Sequence, residues 1–127
     1  MKQSFSPFKQ KVIDIVSLVP PGKVASYGQI ALYIGVPRAA RQVGWILRQI
    51  GAETNIPWWR VINQKGFISI KGNLTADKDL QKKLLDAEGV EVDEFKLDMK
   101  KYRFIPEPVQ LELVSNDKDI DSISYKL

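Results

Sequence analysis

The sequence predicts a mainly α-helical domain of the helix-turn-helix or winged-helix-like class, with one small β-hairpin. Two short helical patterns are separated by a turn that contains Gly35 and Pro37, and the second pattern is rich in arginine. Such a pair, joined by a short turn, is the sequence pattern of a helix-turn-helix. The hairpin is predicted from the turn residues Asn63 to Gly66, which separate two short runs of β-forming residues.

The composition is that of one ordinary globular domain. The 127 residues are 44% hydrophobic and 27% charged, which is enough apolar chain to build a core. No stretch approaches the roughly 18 apolar residues of a membrane span. The N-terminus leads into polar, patterned sequence without an apolar signal region. We therefore expect an intracellular protein, cytoplasmic (nucleoid) or nuclear, that is not attached to a membrane. We also expect a monomer.

The chain contains no cysteine and no histidine. The lack of cysteine excludes disulfides and thiolate zinc sites, and the lack of histidine removes the commonest general base and metal ligand. A metalloenzyme or a triad hydrolase is therefore disfavoured. We expect no cofactor and no metal.

The charge is divided unequally along the chain. Residues 1–71 hold ten Lys or Arg and two acidic residues (net +8), whereas residues 72–127 hold nine Lys or Arg and thirteen acidic residues (net −4). A basic half of this kind is typical of a protein that binds a polyanion, because each neutralised phosphate releases counterions. On charge alone, a solvated basic surface explains the pattern equally well.

The first helix is predicted to begin at Ser6 and Pro7, since serine is a favoured N-cap and proline is tolerated in the first turn. The segment Pro20 to Gly22 ends it. Its apolar stripe consists of Phe8, Val12, Ile15, Val16 and Val19.

The second helix is predicted to be capped by Ser26 and to stop at Gly35. A third helix follows from about Arg38 to Ile50, with arginine on its exposed faces. Its predicted apolar face consists of Ala40, Val43, Leu47 and Ile50. Close helix packing or a surface ion pair would explain parts of this pattern, but few acids are available to Arg41, so we favour a nucleic-acid contact for it.

Trp58 and Trp59 are adjacent and follow Pro57. Proline biases the backbone beside it towards extended conformations, in which neighbouring side chains point in opposite directions. Only one indole is then expected to reach the core, and the other should line a cavity or face solvent. A flat aromatic is a good wall for another ring but cannot act as a nucleophile, so the segment is predicted to bind and not to react.

The remaining elements complete a domain over residues 1–106. The hairpin should pair Val61–Ile62 with Phe67–Ile70, and a helix from Thr75 or Ala76 to Glu88 should turn Leu80, Leu84 and Leu85 inward. Residues 90–97 are predicted to form short strands or extended packing, and Tyr102 and Phe104 to complete the core. Residues 107–127 are predicted to be an acidic, flexible tail that contacts a protein partner or shields the basic face.

Four segments, in order and at matching spacing, resemble the DNA-binding domain of the O6-alkylguanine-DNA alkyltransferases. They are Pro21 to Gly28, Pro37 to Gly44, Ile56-Pro57 followed by Arg60 to Ile62, and Leu84-Leu85 with Glu88-Gly89. The active block of those enzymes reads Pro-Cys-His-Arg-Val, and here Trp58 and Trp59 stand at the cysteine and histidine positions. The chain is therefore most similar to the alkyltransferase-like proteins, which lack the acceptor cysteine, bind alkylated guanine without repairing it and pass the lesion to nucleotide excision repair.

The resemblance implies roles for individual residues. Tyr27 matches the tyrosine that rotates the target nucleotide out of the stack, and Arg41 matches the arginine that fills the gap; both would act in the minor groove of duplex DNA. The other implied DNA contacts are Ser26, Arg38, Ala39 and Gln42. The implied lesion pocket consists of Trp58, Pro57, Ser69, Lys71 and Val61. Structural roles are implied for Trp59, Arg60 and Glu88, with Arg60 as an internal charged staple and Glu88 lacking its usual histidine partner.

Two alternatives stay open at the level of sequence. One is a transcriptional or architectural helix-turn-helix protein that reads a base sequence and is indifferent to damage. The other is an enzyme that uses Glu88 or a tyrosine in place of cysteine, which would need catalysis without any imidazole or thiol. Trp45 takes the second position of what is often a Gly-Gly pair in the family, and we expect it to pack in the core.

Overall fold

The computed structural model describes residues 6–50, 55–68 and 75–108, with the side chains of residues 75–77 excepted. The elements are α1 (Pro7–Leu18), β1 (Ala25–Ser26), α2 (Tyr27–Ile34), α3 (Ala40–Ile50), a 3-10 turn (Trp58–Arg60), β2 (Val61–Ile62), α4 (Thr75–Ala87) and α5 (Met99–Tyr102). The predicted mainly helical fold with a small β element is confirmed. None of the described helices has the length and apolar character that crossing a bilayer requires.

Helix α1 begins as predicted. The hydroxyl of Ser6 accepts a hydrogen bond from the backbone N–H of Lys9 at 3.2 Å, and Pro7 occupies the first helical position. Proline is tolerated there because the first N–H groups of a helix have no intrahelical acceptor. The predicted stripe is buried from Val12 to Val19, with Phe8 partly buried at the edge of the core.

Helix α2 is capped at both ends by the predicted residues, Ser26 and Gly35. The Ser26 hydroxyl accepts from the Gln29 backbone N–H, and the Gln29 side chain accepts from the Ser26 N–H, both at 3.0 Å. This reciprocal capping box satisfies two N–H groups that the helix leaves unpaired. Gly35 ends the helix with a φ of 100°, in the left-handed region that glycine adopts without a steric cost.

Helix α3 begins at Ala40, two residues later than predicted, because the preceding residues form a turn. The N–H of Ala39 donates to the carbonyl of Val36 at 2.9 Å, and the carbonyl of Ala39 then accepts from Val43 at 2.9 Å. Ala39 is therefore the last residue before the helix. The buried face consists of Val43, Ile46, Leu47 and Ile50.

The β element differs from the predicted hairpin. The turn at residues 63–66 is present, with the Gly66 N–H donating to the Asn63 carbonyl at 2.9 Å. The strand before it, β2, nevertheless pairs in parallel with β1, and Ala25 is opposite Val61. Both residues of β2 are almost fully buried, so their backbone groups need partners in the interior, and β1 provides them. On the other side of the turn, the carbonyl of Phe67 accepts a hydrogen bond from the Asn63 N–H at 3.3 Å, and Phe67 also makes an antiparallel bridge with Lys96.

The two-stranded sheet lies between two hydrophobic clusters. Ala25 and Val61 belong to the cluster that α1, α2 and α3 form. Val24 and Ile62, their neighbours in the chain, belong to the second cluster, which also contains Leu85 of α4. Neighbouring residues of an extended chain point to opposite faces, so this short sheet joins the two halves of the core.

Helix α4 has the predicted bounds to within one residue, but its buried face differs from the prediction. Leu80 is 46% exposed, so the prediction that it points inward is wrong. Gln81 is buried in its place because its amide donates to the carbonyls of Trp59 at 3.0 Å and Val61 at 3.2 Å. Leu85 is fully buried as predicted, and Leu84 is partly buried.

The segment after α4 forms a turn and no named strand among the described residues. Asp93 and Lys96 exchange backbone hydrogen bonds of 2.8 and 2.9 Å, and Glu94 and Phe95 between them have φ values of 49° and 64°. Left-handed conformations at two successive residues reverse the chain. Tyr102 and Phe104 are buried, which confirms their predicted place in the core.

Replacement of Gly66 by alanine is predicted to destabilise the protein by about 2 kcal/mol more than replacement of Gly89. Both glycines have φ near 90°, so alanine is strained at either position. At Gly66 an added Cβ would overlap the carbonyl oxygen of Leu97, whereas at Gly89 it meets no atom within 4 Å. Urea unfolding of Gly66→Ala and Gly89→Ala measures the difference, and equal losses of stability would contradict the steric part of the argument.

Candidate functional site

The two adjacent tryptophans lie on a 3-10 turn. The N–H of Arg60 donates to the carbonyl of Pro57 at 3.0 Å, and the N–H of Trp58 donates to the carbonyl of Ile56 at 2.8 Å. The predicted extended conformation is therefore wrong, because these backbone groups are paired within the segment. A 3-10 turn separates consecutive side chains by about 120° and not by 180°.

The two indoles have different surroundings. Their ring centroids are 6.0 Å apart and the planes are perpendicular, the edge-to-face geometry that aromatic pairs favour. Trp59 packs against the second hydrophobic cluster, whereas Trp58 is in neither of the two clusters. Both rings are partly buried. The prediction that only one indole reaches the core is confirmed, and that indole is Trp59.

The carboxylate of Glu88 binds both residues that follow Trp58. It accepts the indole N–H of Trp59 at 3.0 Å, and the guanidinium of Arg60 donates to its two oxygens at 2.9 Å through Nε and 2.5 Å through Nη2. The side chains of Arg60 and Glu88 are only 13% and 15% exposed. This bidentate, largely desolvated pair fixes the turn on the end of α4.

Arg60 also reaches the end of α1. Its Nη1 donates to the carbonyl of Val19 at 2.8 Å, and its guanidinium lies 5.2 Å from the centre of the Trp59 ring. One side chain thus connects the C-terminus of α1, the tryptophan turn and Glu88. The prediction of an internal charged staple is confirmed. Glu88, which has no histidine partner, has side-chain partners in Arg60 and Trp59 and a backbone donor at Gly22.

Two opposing effects act on the pKa of Glu88. Burial alone would raise the pKa of this carboxyl group, but the hydrogen bonds from Arg60 and Trp59 and the charge of Arg60 outweigh it. The pKa of Glu88 is therefore lowered below its ordinary value. The group is ionised at neutral pH, and the ionised form is the one that the fold stabilises.

Exposed polar residues cover the outer face of α3 and the turn before it. Arg38, Arg41 and Gln42 are exposed, as their predicted DNA-contact role requires. Arg48 and Gln49, farther along the helix, are exposed as well but were not among the predicted site residues. The signal that would have identified Arg48 is its spacing, since residues seven apart return to the same side of a helix.

Tyr27 links α2 to α3. A Cβ placed on Gly44 would lie 3.5 Å from Cε1 of the Tyr27 ring, so the ring covers the helix at its glycine. Burial raises the pKa of the Tyr27 phenol, and the positive charge of Arg48 lowers it by a smaller amount. The phenol is consequently neutral at physiological pH and keeps its proton as a hydrogen-bond donor.

Four predicted contact residues are buried. The predicted DNA contact at Ala39 and the predicted pocket position at Val61 stay predictions, but the side chains of both residues are buried in the first hydrophobic cluster. The reason is that Ala39 packs beneath the start of α3 and Val61 is paired with β1. Ser26 is 3% exposed and its hydroxyl caps α2, and Pro57 is also buried. Ser69 and Lys71 lie outside the described residues.

The largest departure from the predictions is Trp45. The prediction that it packs in the core is wrong, because Trp45 is 57% exposed on α3. The two residues beside it are Gly44, which faces Tyr27, and the buried Ile46. A helix advances by about 100° per residue, so Trp45 does not share the buried face. The outer face of α3 therefore carries an indole among its arginines and glutamines.

Comparison with known proteins places the chain among relatives of a DNA-binding domain. Residues 7–90 match the family model described as the DNA-binding domain of 6-O-methylguanine DNA methyltransferase. Alkyltransferase-like protein 1 of Schizosaccharomyces pombe is 44% identical over 104 residues, which are 78% of this chain and 95% of that protein. A protein of Vibrio parahaemolyticus named DNA base-flipping protein is 42% identical over 100 residues, which are 78% of this chain and 97% of that protein.

A solved structure shares the fold as well. The crystal structure of S. pombe Atl1 in complex with damaged DNA containing O6-carboxymethylguanine has a TM-score of 0.74 and 41% sequence identity. The match covers 82% of this chain and 100% of that chain. An identity of this size over the whole of the solved chain supports a common fold.

Glu88→Gln is predicted to lower the free energy of unfolding by about 1–3 kcal/mol at pH 7, because Arg60 would lose its counter-charge. A lowered pKa means that the stabilisation by Glu88 is fully present above the pKa of the unfolded chain and is lost as the pH falls through the folded pKa. The difference between the variant and the parent protein should therefore shrink below about pH 4. Urea unfolding at several pH values measures it.

Glu91→Gln is the matched control. Glu91 pairs with Lys101 at 3.2 Å, but both side chains are largely exposed. Screened surface pairs contribute little, so this variant should unfold like the parent protein. A pH-independent loss in Glu88→Gln, or an equal loss in both variants, would contradict the role of the buried charge.

Proposed function

The chain belongs to the family of the 6-O-methylguanine DNA methyltransferase DNA-binding domain, and from this premise we propose that it detects alkylation damage without repairing it. It binds duplex DNA through the minor groove and flips O6-alkylguanine into a pocket walled by Trp58. The alkyl group stays on the base. The protein is a binding protein and not an enzyme.

The arrangement of Trp58, Trp59 and Glu88 carries the proposal. In the alkyltransferases that the chain resembles, a cysteine accepts the alkyl group and a histidine held by a glutamate activates it. Here the glutamate holds the N–H of Trp59 at 3.0 Å, so the support of the active block is kept while its reacting groups are replaced. An indole N–H donates a hydrogen bond but does not accept a proton, and Trp58 offers no thiolate.

The positions of Arg41, Trp58 and Tyr27 agree with the physical requirements of base flipping. Extruding a base costs a few kcal/mol of stacking, so a protein must fill the gap and provide a surface for the extruded ring. Arg41 is an exposed cation on α3 and is proposed to fill the gap. Trp58 is a partly exposed aromatic ring and is proposed to stack on the base. Tyr27, covering Gly44, is proposed to displace the phosphate of the target nucleotide.

The relatives support the same function. One is named a DNA base-flipping protein, and Atl1 was crystallised with DNA that contains O6-carboxymethylguanine. Within this proposal α2 and α3 act as a helix-turn-helix, and residues 1–106 form the DNA-binding domain. Residues 107–127 are proposed as an acidic tail, and nucleotide excision repair proteins, of the UvrA or UvrC type or their eukaryotic counterparts, as the partners that receive the marked lesion.

A competition experiment tests lesion binding. The protein should prefer a duplex with O6-methylguanine to the same duplex with guanine, at one stated salt concentration. Arg41→Ala should weaken binding of the lesion duplex about tenfold or more and lower the preference, because flipping then leaves an unfilled gap. Tyr27→Phe should also lower the preference. Fluorescence anisotropy with labelled duplexes measures both affinities.

Lys83→Ala is the control for Arg41→Ala, because Lys83 is an exposed cation on α4, in the acidic half of the chain. It should leave the lesion preference unchanged. Equal binding of both duplexes by the parent protein, together with tight binding of one base sequence, would establish a sequence-reading protein instead. Equal weakening of both duplexes by Arg41→Ala and Tyr27→Phe would argue against flipping.

Trp58→Cys alone is predicted not to restore methyl transfer, since Trp59 cannot activate the new thiol. The double variant Trp58→Cys with Trp59→His places a histidine where Glu88 now accepts the indole N–H. It should transfer the methyl group faster than the single variant. Mass spectrometry after incubation with O6-methylguanine DNA detects the alkylated protein, and rapid transfer to the single variant would contradict this account.

A further inference from the structure

Trp45 is an exposed aromatic residue to which the proposed function assigns no role. Its side chain is 57% exposed, although an indole is among the largest apolar groups in proteins. Burial of that surface against a partner would be favourable. Because α3 is a regular helix with a complete buried face, the chain itself does not need Trp45 for its core.

The position of Trp45 on α3 relates it to two arginines. Arg41, Trp45 and Arg48 follow one another at spacings of four and three residues, which places them along one side of the helix. Gly44, which precedes Trp45, points to Tyr27 of α2. Trp45 therefore belongs to the outer face that carries Arg41, and not to the contact between α2 and α3.

The charge of this face indicates the chemistry of its partner. From Val36 to Ile50 the chain has three arginines and no acidic residue. An apolar ring between cations is suited to a surface that is anionic and also has apolar parts. The minor groove of DNA is such a surface, because phosphates line its edges and deoxyribose rings and base edges form its walls.

We propose that Trp45 is a second DNA-contact residue whose indole packs against deoxyribose rings and base edges in the minor groove, about 6 Å along α3 from Arg41. The inference rests on the proposed role of α3 as the helix that lies on DNA. The contact is independent of the lesion, because it is made beside the flipped nucleotide and not with it. Trp45 strengthens binding to damaged and undamaged duplexes alike.

An apolar contact and an ionic contact leave different signatures. Arginine on a phosphate releases counterions, so its removal lowers the dependence of binding on salt by about one unit of slope. An indole on sugar and base edges releases no counterions. Its removal should therefore weaken binding at every salt concentration by the same factor. This difference separates Trp45 from Arg48, its neighbour on the same face.

The test measures binding of Trp45→Ala, Trp45→Phe and Arg48→Ala to duplexes with guanine and with O6-methylguanine over a range of salt. Trp45→Ala should bind both duplexes about tenfold more weakly, with the lesion preference and the salt slope unchanged. Trp45→Phe keeps a ring and should recover most of the affinity. Arg48→Ala should lower the salt slope.

Leu32→Ala is the matched control, since Leu32 is 56% exposed and lies on α2. It should bind both duplexes like the parent protein, and the unfolding temperatures of all variants should agree within a few degrees. Binding of Trp45→Ala within twofold of the parent protein would overturn the inference and assign Trp45 to a protein partner or to none. Loss of the lesion duplex alone would overturn it too, since Trp45 would then act in flipping.

The outcome for Trp45 is separable from the outcome for lesion recognition. If the parent protein binds both duplexes equally and Trp45→Ala weakens both, α3 binds DNA as inferred but lesion recognition fails. If the parent protein prefers the lesion and Trp45→Ala changes neither affinity, lesion recognition stands and the inference on Trp45 fails. Weakening by Leu32→Ala equal to that by Trp45→Ala would show nonspecific apolar binding and also contradict the inference.

Discussion

The carboxylate of Glu88 is the group on which the geometry of the candidate site depends. It is largely buried, and a buried anion is stable only when charged or polar donors surround it. The Arg60 guanidinium and the Trp59 indole N–H are those donors, and Arg60 in turn holds the carbonyl of Val19 at the end of α1. Three separate parts of the chain are thus fixed around one charge, and the orientation of Trp58 follows from the turn that they hold.

Within the proposed function, this arrangement explains how a site can keep its shape without the reaction. In the alkyltransferases that the chain resembles, the glutamate supports a histidine that activates the acceptor cysteine. Trp59 presents a single N–H to Glu88 and satisfies the same acceptor, so the tryptophan does not leave the carboxylate without a partner. Gln81 supports the turn from the other side by binding the Trp59 carbonyl. Within the proposed function, the support of an active site is kept without its nucleophile or its base.

The helix α3 has a buried face and an exposed face. One face is buried in the core, Gly44 receives the ring of Tyr27, and the remaining face carries Arg41, Trp45 and Arg48 in the open. Tyr27 is therefore positioned by the same helix that presents Arg41. In the proposed function, Tyr27 displaces a nucleotide and Arg41 fills the gap that the nucleotide leaves. The contact between α2 and α3 would hold these two residues in a fixed relative position. The proposed role of Trp45 adds an apolar contact to a face that is otherwise ionic and polar.

The sequence by itself determined the features that depend on local chemistry. Ser6, Ser26 and Gly35 mark helix ends because capping and left-handed φ act within one turn, and the lack of Cys and His restricts the chemistry whatever the fold. Tertiary structure alone decided which strand pairs with β2, that Gln81 and not Leu80 is buried in α4, and that Glu88 binds Trp59. It also decided that Trp45 is exposed. These outcomes depend on which unpaired polar groups and apolar faces meet across distant parts of the chain, and hydrophobic spacing along the sequence does not contain that information.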